Sequence, residues 1–195
     1  GKRTSVSPVW RIMVKFAYFD RTVRAVFRQE GGAVMDTAKT PDAEWMQKRL
    51  KEVFDQVTRE VTRQAAGIRL YEGAKEPAGQ LFTVYAEFQR GFHTGISLCA
   101  DASMFVRLTR HMMKREDVSP QDVEDFSKEY FNVLCGHIAT GIFRATKVAP
   151  RFSTPTFFHG CYTPDGHATH FILNYTSDEQ ENVQLTHHMP TGVVQ

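Results

Sequence analysis

The sequence lacks the features that mark membrane, secreted and disulfide-bonded proteins. It contains no uninterrupted apolar run of about 18 residues, the length that a membrane-spanning helix needs. No signal-peptide pattern, with a charged start, an apolar core and a small-residue cleavage site, is visible. The three cysteines, Cys99, Cys135 and Cys161, have no C-x-x-C spacing and are predicted to be reduced thiols. These absences predict a cytoplasmic protein without a membrane span.

The common catalytic and metal-binding motifs are missing too. There is no G-x-S-x-G nucleophile elbow, no P-loop and no G-x-G-x-x-G dinucleotide fingerprint. Among the eight histidines, His167 and His170 are three residues apart, and such residues face opposite sides of a strand. No acid or cysteine stands at zinc-ligand spacing. We therefore predict structural or surface histidines, with His137 packed in the core, and no metal site.

Charge is distributed unevenly along the 195 residues. Residues 1–34 hold seven lysines and arginines against two acids, a net charge of +5, and the rest of the chain has a net charge of −3. The basic segment is interpreted as an extra helix, an oligomer arm, a contact for a membrane surface or acidic partner, or an appended extension. The mildly acidic body, residues 35–195, does not indicate a nucleic-acid-binding surface. The whole chain has 42% hydrophobic residues, and the body is predicted to be one soluble domain with a sizeable core.

Hydrophobic periodicity predicts an alternation of helices and strands. A change of period from helical to alternating separates the elements, and Gln89-Arg90-Gly91 is typical of a hairpin turn. Helices are predicted over 40–66, over 101–113 with Asp101 as its cap, and between Ser119 and Pro150; strands are predicted over 68–72, 81–88, 92–99, 154–159, 170–175 and 183–188. This order predicts an α+β fold, with helices packed on a mostly antiparallel sheet.

The helix between Ser119 and Pro150 has the clearest boundaries. Ser119 is a favourable N-cap, Pro120 suits the first helical position, and Asp122 complements the positive end of the helix dipole. Lys147 and then Pro150 mark its end. At about 1.5 Å per residue, this helix would be roughly 40 Å long.

The same helix has two distinct faces. The first is apolar and is predicted to pack in the core; it contains Val123, Phe126, Tyr130, Leu134, His137, Ile138 and Gly141. The opposite stripe contains Asp125, Glu129, Asn132, Gly136 and Phe143. Glu129 and Asn132 are at i and i+3, so their side chains point the same way. This stripe is either an ordinary solvent-exposed face or a contact surface. An inert exposed face more often carries Lys and Glu at i, i+4 spacing, and that difference is the reason to consider a contact surface.

The polar stripe contains a recognisable run, Asp125-x-x-x-Glu129-x-x-Asn132, followed by Gly136. It resembles the E-x-x-N-x-x-x-G helix of the CheC/CheX/FliY family of chemotaxis phosphatases. The flanking segments agree in order: GFHTGISL at 91–98 is similar to that family's G-x-x-x-G strand, and FSTPTFFHG at 152–160 is similar to its T-P-P-x-x-x-x-G strand.

The resemblance covers about residues 41–190, including a short helix at 101–113. It is nearest to the single-site CheX type, because Glu60 in the first helix is followed three residues later by Arg63 and not by asparagine. Two features depart from the family pattern: Tyr130 and Phe131 replace smaller residues, and the basic segment has no counterpart.

The resemblance implies a protein phosphatase that hydrolyses the aspartyl phosphate of a CheY-type response-regulator receiver domain. Asn132 would position the attacking water, and Glu129 would pair with the receiver's lysine. The chain would need no cofactor of its own, because the Mg²⁺ would belong to the receiver domain. Asp125, Gly136 and Phe143 lie on the same stripe and are expected to contact the partner. The resemblance also implies a homodimer.

Two other hypotheses remain open at this stage. A domain of the same fold could bind a receiver domain or a flagellar partner without hydrolysing anything. The E-x-x-N run could also be accidental in a dimerising structural protein. The intact Glu129 and Asn132 pair favours the phosphatase over the binding module.

Overall fold

The structure, a computed structural model, describes residues 43–89, 94–147 and 149–191. The predicted basic extension, residues 1–34, lies outside the described residues and stays a prediction. The same is true of its predicted boundary at Met35 and of most of the loop that joins the predicted hairpin.

Helices and strands follow one another in the predicted order. The helices are α1 (Ala43–Ala66), α2 (Ala102–Met113) and α3 (Pro120–Thr146), and the strands are β1 (Leu70–Glu72), β2 (Leu81–Phe88), β3 (Thr94–Asp101), β4 (Thr156–His159), β5 (His167–Ser177) and β6 (Asn182–Pro190). The prediction for β2 is correct to the residue, and the end of α1 at Ala66 is also confirmed, since Gly67 follows with a positive φ of 68°.

The strands form one six-stranded sheet in the order β1-β5-β6-β3-β2-β4. Each pair of neighbours is antiparallel. The predicted hairpin is confirmed by the pairing of Phe88 with Thr94, which closes the β2–β3 ladder. The α+β class with an antiparallel sheet is therefore confirmed.

The core lies between one face of the sheet and the helices. Phe54 of α1 contacts Phe171 of β5 edge to face, with ring centroids 5.3 Å apart. Toward the other edge of the sheet, on the same face, Phe105 of α2 packs against Phe82 of β2 and Phe157 of β4. The apolar residues of β3 that share this face are fully buried: Ile96, Leu98 and Ala100.

The opposite face of the sheet has a different composition. On β2 and β3 it carries Thr83, Tyr85, Ser97 and Cys99, which are all buried. The chain that follows β4 covers part of this face, because Tyr162 contacts Tyr85 with ring centroids 5.2 Å apart.

Two of the sequence predictions that need correction concern Asp101 and strand β5. Asp101 does occupy the N-cap position of α2, but its side chain forms no capping hydrogen bond. Its carboxylate instead accepts hydrogen bonds from the backbone N–H of Asn182, at 2.7 Å, and of Ala78, at 3.4 Å. The second correction concerns β5, which was predicted over 170–175 and extends over His167–Ser177, because it pairs with β6 along most of its length. In the part of the chain that the structure describes, no helix combines the length and apolar character needed to cross a membrane.

Candidate functional site on helix α3

Helix α3 begins with a complete capping box. The Ser119 hydroxyl accepts a hydrogen bond from the Asp122 backbone N–H at 3.1 Å, and the Asp122 carboxylate accepts one from the Ser119 backbone N–H at 2.8 Å. The hydrogen bonds from Ser119, and then the Arg115 guanidinium, lower the pKa of Asp122. The helix ends at Lys147, which has a positive φ of 61° and donates its N–H to the Phe143 carbonyl. Both predicted ends of the helix are confirmed.

The middle of α3 carries two buried aromatic residues, and one of them, Tyr130, anchors the helix to α1. Tyr130 and Phe131 are fully buried. The Tyr130 hydroxyl lies 2.6 Å from the Thr62 hydroxyl, which itself donates to the Thr58 carbonyl. Tyr130 must therefore be the donor to Thr62, and burial raises the pKa of its phenol far above the usual value. This contact fixes the rotation of α3 about its axis at residue 130.

Glu129 and Asn132 flank the two anchored aromatics on the opposite side of the helix. Asn132 is exposed and Glu129 is half-buried. Neither side chain forms a hydrogen bond or an ion pair with any residue that the structure describes. The predicted pair therefore shares one face of a well-anchored helix, with its polar groups available to a partner or to water.

The N-terminal part of the stripe is acidic. The Lys128 ammonium lies 2.8 Å from a Glu124 carboxylate oxygen and 3.5 Å from an Asp125 carboxylate oxygen. The hydrogen bond with Glu124 is the largest cause that raises the pKa of Lys128. Asp125 also accepts a hydrogen bond from the Gln121 side chain at 3.0 Å. With Glu129 beside them, three carboxylates face one ammonium group, so this region has a net negative charge.

The C-terminal part of the stripe has no charged residue and contains a glycine and an exposed phenylalanine. Phe143 has 46% of its surface exposed, which is unusual for a large aromatic side chain. Gly136 lies between Asn132 and Phe143, and a methyl group added to it would have Phe152 as its nearest neighbour, at 3.9 Å. This is an ordinary van der Waals distance, so packing among the described residues does not require glycine at this position.

The structure thus places all five predicted site residues on one surface of α3, namely Asp125, Glu129, Asn132, Gly136 and Phe143. Lys128 is absent from the predicted set, although its i+3 and i+4 spacing from Asp125 and Glu124 is visible in the sequence. His137 is half-buried, and burial, followed by the positive charge of Arg144, lowers its pKa. Among the described residues, no three histidines, cysteines or acids are grouped in a way that could hold a metal ion.

The whole fold is similar to the folds of solved chemotaxis proteins. A CheX chemotaxis protein from Desulfovibrio desulfuricans superimposes with a TM-score of 0.58 at 15% identity, over 71% of this chain and 97% of that chain. FliY from Thermotoga maritima gives a TM-score of 0.57 at 13% identity, over 81% and 94%. The chain has the CheC/CheX/FliY fold.

A third structure with this fold is a complex. It is the CheX–CheY–BeF3–Mg²⁺ complex from Borrelia burgdorferi, which gives a TM-score of 0.55 at 12% identity, over 72% of this chain and 96% of that chain. No protein-family model and no curated protein matches the sequence. At these identities the similarity is one of fold, and the function has to be argued from the residues of the site.

Proposed function

We propose that this protein is a phosphatase that hydrolyses the aspartyl phosphate of a CheY-type receiver domain. The observation that carries the proposal is the pair Glu129 and Asn132. Both project from the exposed side of a helix whose opposite side is fixed by Tyr130 and Phe131. The CheC/CheX/FliY fold supports the same function, since a CheX protein of this fold has been solved with CheY.

In this mechanism, Asn132 positions the attacking water. An aspartyl phosphate already has a good leaving group, so the main requirement is a water molecule held in line with phosphorus. An amide side chain suits this role because it is neutral and can both donate and accept a hydrogen bond. The Asn132 amide forms no hydrogen bond with the described residues, so no internal contact has to break before water binds.

Glu129 acts on the partner and not on the phosphoryl group. A carboxylate next to a phosphoryl group is disfavoured, because both carry negative charge. The same charge favours a lysine of the receiver domain, and the acids Glu124 and Asp125 reinforce the negative potential around Glu129. A salt bridge from Glu129 to that lysine would hold the docked helix in place and so bring Asn132 to the phosphate.

The remaining stripe residues form the docking surface. Asp125 is expected to contribute charge at one end, and Phe143 an apolar contact at the other. Gly136 between them allows the partner's backbone to approach closely, because glycine lacks a side chain. The Mg²⁺ is expected in the receiver domain, where it would neutralise the phosphoryl oxygens.

The test is a dephosphorylation assay on receiver domains of the same organism, phosphorylated with a small acyl phosphate. Asn132→Ala is expected to lower kcat by about 10²-fold or more, the loss typical of one misplaced group. Glu129→Ala is expected to raise KM for the phosphorylated receiver, because it removes a docking contact. Gln56→Ala and Glu116→Ala are matched controls, since both residues are exposed and lie outside the stripe.

The possible outcomes separate the hypotheses. Unchanged kinetics in both Asn132→Ala and Glu129→Ala would sink the assignment of this pair. If the wild-type protein binds a phosphorylated receiver but leaves its dephosphorylation rate unchanged, the chain is a binding module of the same fold. The thermal unfolding temperature of each variant should match that of the wild type, because all four substituted side chains lie outside the core.

A further inference from the structure

Two of the three cysteines are brought together on the sheet face opposite the helices. Cys99 of β3 pairs in register with Thr83 of β2. The Thr83 hydroxyl donates a hydrogen bond to the Gly160 carbonyl at 2.7 Å, and Gly160 directly precedes Cys161. Thr83 therefore links the strand position opposite Cys99 to the residue next to Cys161.

The segment around Cys161 is held in place on both sides. Before it, the Gly160 N–H donates to the Leu81 carbonyl at 2.7 Å, and the positive φ of Gly160, 89°, turns the chain at the end of β4. After it, the Tyr162 ring stacks on the Phe158 ring, with centroids 3.8 Å apart and an interplanar angle of 3°. Cys161 thus lies in a short segment that is fixed to β2 and β4 at both ends.

The two thiols differ in exposure and interact with each other. Cys99 is 5% exposed, whereas Cys161 is exposed to solvent. Burial raises the pKa of Cys99 to about 11; the Thr83 hydroxyl lowers it, and the charge and hydrogen bonding of Cys161 raise it. A dissolved oxidant would therefore meet Cys161 first, with Cys99 as the nearby second thiol.

We infer that Cys99 and Cys161 form a reversible intramolecular disulfide when the protein meets hydrogen peroxide. In the first step the Cys161 sulfur attacks one peroxide oxygen, the O–O bond breaks, and sulfenic acid and water form. In the second step the Cys99 sulfur attacks the Cys161 sulfur, and the S–O bond breaks. The hydroxyl group leaves as water with the proton of the Cys99 thiol. Two thiols are oxidised and one peroxide is reduced, with two waters released.

The third cysteine provides an internal control. Cys135 is fully buried in α3, and burial raises the pKa of its thiol far above the usual value. Because α3 packs on the face of the sheet opposite the segment at 160–162, Cys135 is expected to stay reduced while the chain is folded. A disulfide that involves Cys135 would show that oxidation follows unfolding and not the native geometry.

The experiment uses the reduced 195-residue chain. It is treated with a small excess of hydrogen peroxide, alkylated with iodoacetamide and digested with trypsin without reduction. The three cysteines fall in separate tryptic peptides, 91–107, 129–144 and 152–195, because no lysine or arginine follows Arg151. The expected product is a cross-link between peptides 91–107 and 152–195, which disappears on treatment with dithiothreitol.

A cysteine variant and an unfolding measurement test the same disulfide independently. Cys161→Ser, a change at an exposed position, should abolish the cross-link while the chain stays folded. The oxidised wild type should unfold at a higher temperature than the reduced protein, because a native disulfide restricts the unfolded chain. The inference is overturned if Cys161 is oxidised only to sulfinic or sulfonic acid with Cys99 left as a thiol. It is also overturned if cross-links form between chains or through Cys135, or if no cross-link forms.

Discussion

The two faces of α3 carry the same kinds of residue with opposite consequences. Phe131 on the inner face is fully buried, whereas Phe143 on the outer face is 46% exposed. A methyl group on Gly141, on the inner face, would lie 2.5 Å from a Val53 methyl carbon of α1. A methyl group on Gly136, on the outer face, would have no atom of the described residues nearer than 3.9 Å.

The residues of the two faces have different physical explanations. Burial in the core accounts for the inner phenylalanine, and close packing against Val53 of α1 accounts for the inner glycine. Nothing described in the chain requires an aromatic ring or a glycine on the outer face. The same face holds Glu129 and Asn132, whose polar groups form no hydrogen bonds with described residues. The outer face is therefore where a second molecule would account for the choice of residues.

The two phenylalanines give the largest expected contrast. Phe131→Ala should destabilise the fold by about 3–5 kcal/mol, because it removes a buried ring and leaves a cavity. Phe143→Ala should change stability by no more than about 0.5 kcal/mol, as is usual for an exposed position, and should weaken binding to the phosphorylated receiver. Urea unfolding and a binding titration on the same samples measure both effects.

The contrast between the two faces is wrong if Phe143→Ala affects stability, or if it leaves receiver affinity unchanged. A loss of several kcal/mol in Phe143→Ala would mean that the ring is part of the fold. Unchanged receiver affinity in Phe143→Ala would remove this residue from the docking surface. The wild-type protein and Gln56→Ala, an exposed change on α1, serve as the references.

Local sequence signals were sufficient for much of the fold. The start of α3 was predictable because Ser119, Pro120 and Asp122 act within a single turn. The strand β5 was underestimated, because polar residues such as Thr169 and Thr176 hide its extent. Those residues are strand residues because β6 pairs with them, at His188 and Asn182. The side chain of Asp101 was misassigned for a similar reason, since a distant backbone group, that of Asn182, binds it.

The candidate site also combines features that local sequence predicts with features that depend on distant residues. The shared direction of Glu129 and Asn132 follows from their spacing in a helix and was predictable. The anchoring of that helix was not, because the hydrogen bond from Tyr130 to Thr62 joins residues 68 positions apart. The proximity of Cys99 and Cys161 depends on strand register and on the turn at Gly160, so cysteine spacing in the sequence gave no sign of it.

The inner glycine allows a direct test of the packing between α3 and α1. Gly141→Ala should destabilise the protein by about 1–2 kcal/mol. Overpacking typically costs about 1–3 kcal/mol, and the better helix propensity of alanine offsets up to about 1 kcal/mol of it. Val53→Ala alone should also destabilise, because it leaves a cavity.

The double variant Gly141→Ala with Val53→Ala decides the cause. The two substitutions compensate in part if the clash is real, so the double variant should be more stable than the sum of the single effects predicts. Urea unfolding of all four proteins gives the coupling free energy. Strict additivity would show that Gly141 and Val53 do not limit the approach of the two helices.

A substitution at Gly136 is expected to change stability in the opposite direction. Gly136→Ala should stabilise the fold by about 0.5–1 kcal/mol, since alanine is a better helix former than glycine and the added methyl group meets no close neighbour. The same methyl group would stand on the proposed docking surface and should weaken binding to the phosphorylated receiver. Higher stability together with lower affinity would mean that the glycine serves a partner at the expense of the helix. Higher stability with unchanged affinity and turnover would exclude Gly136 from the docking surface and leave Glu129, Asn132 and Phe143 to define it.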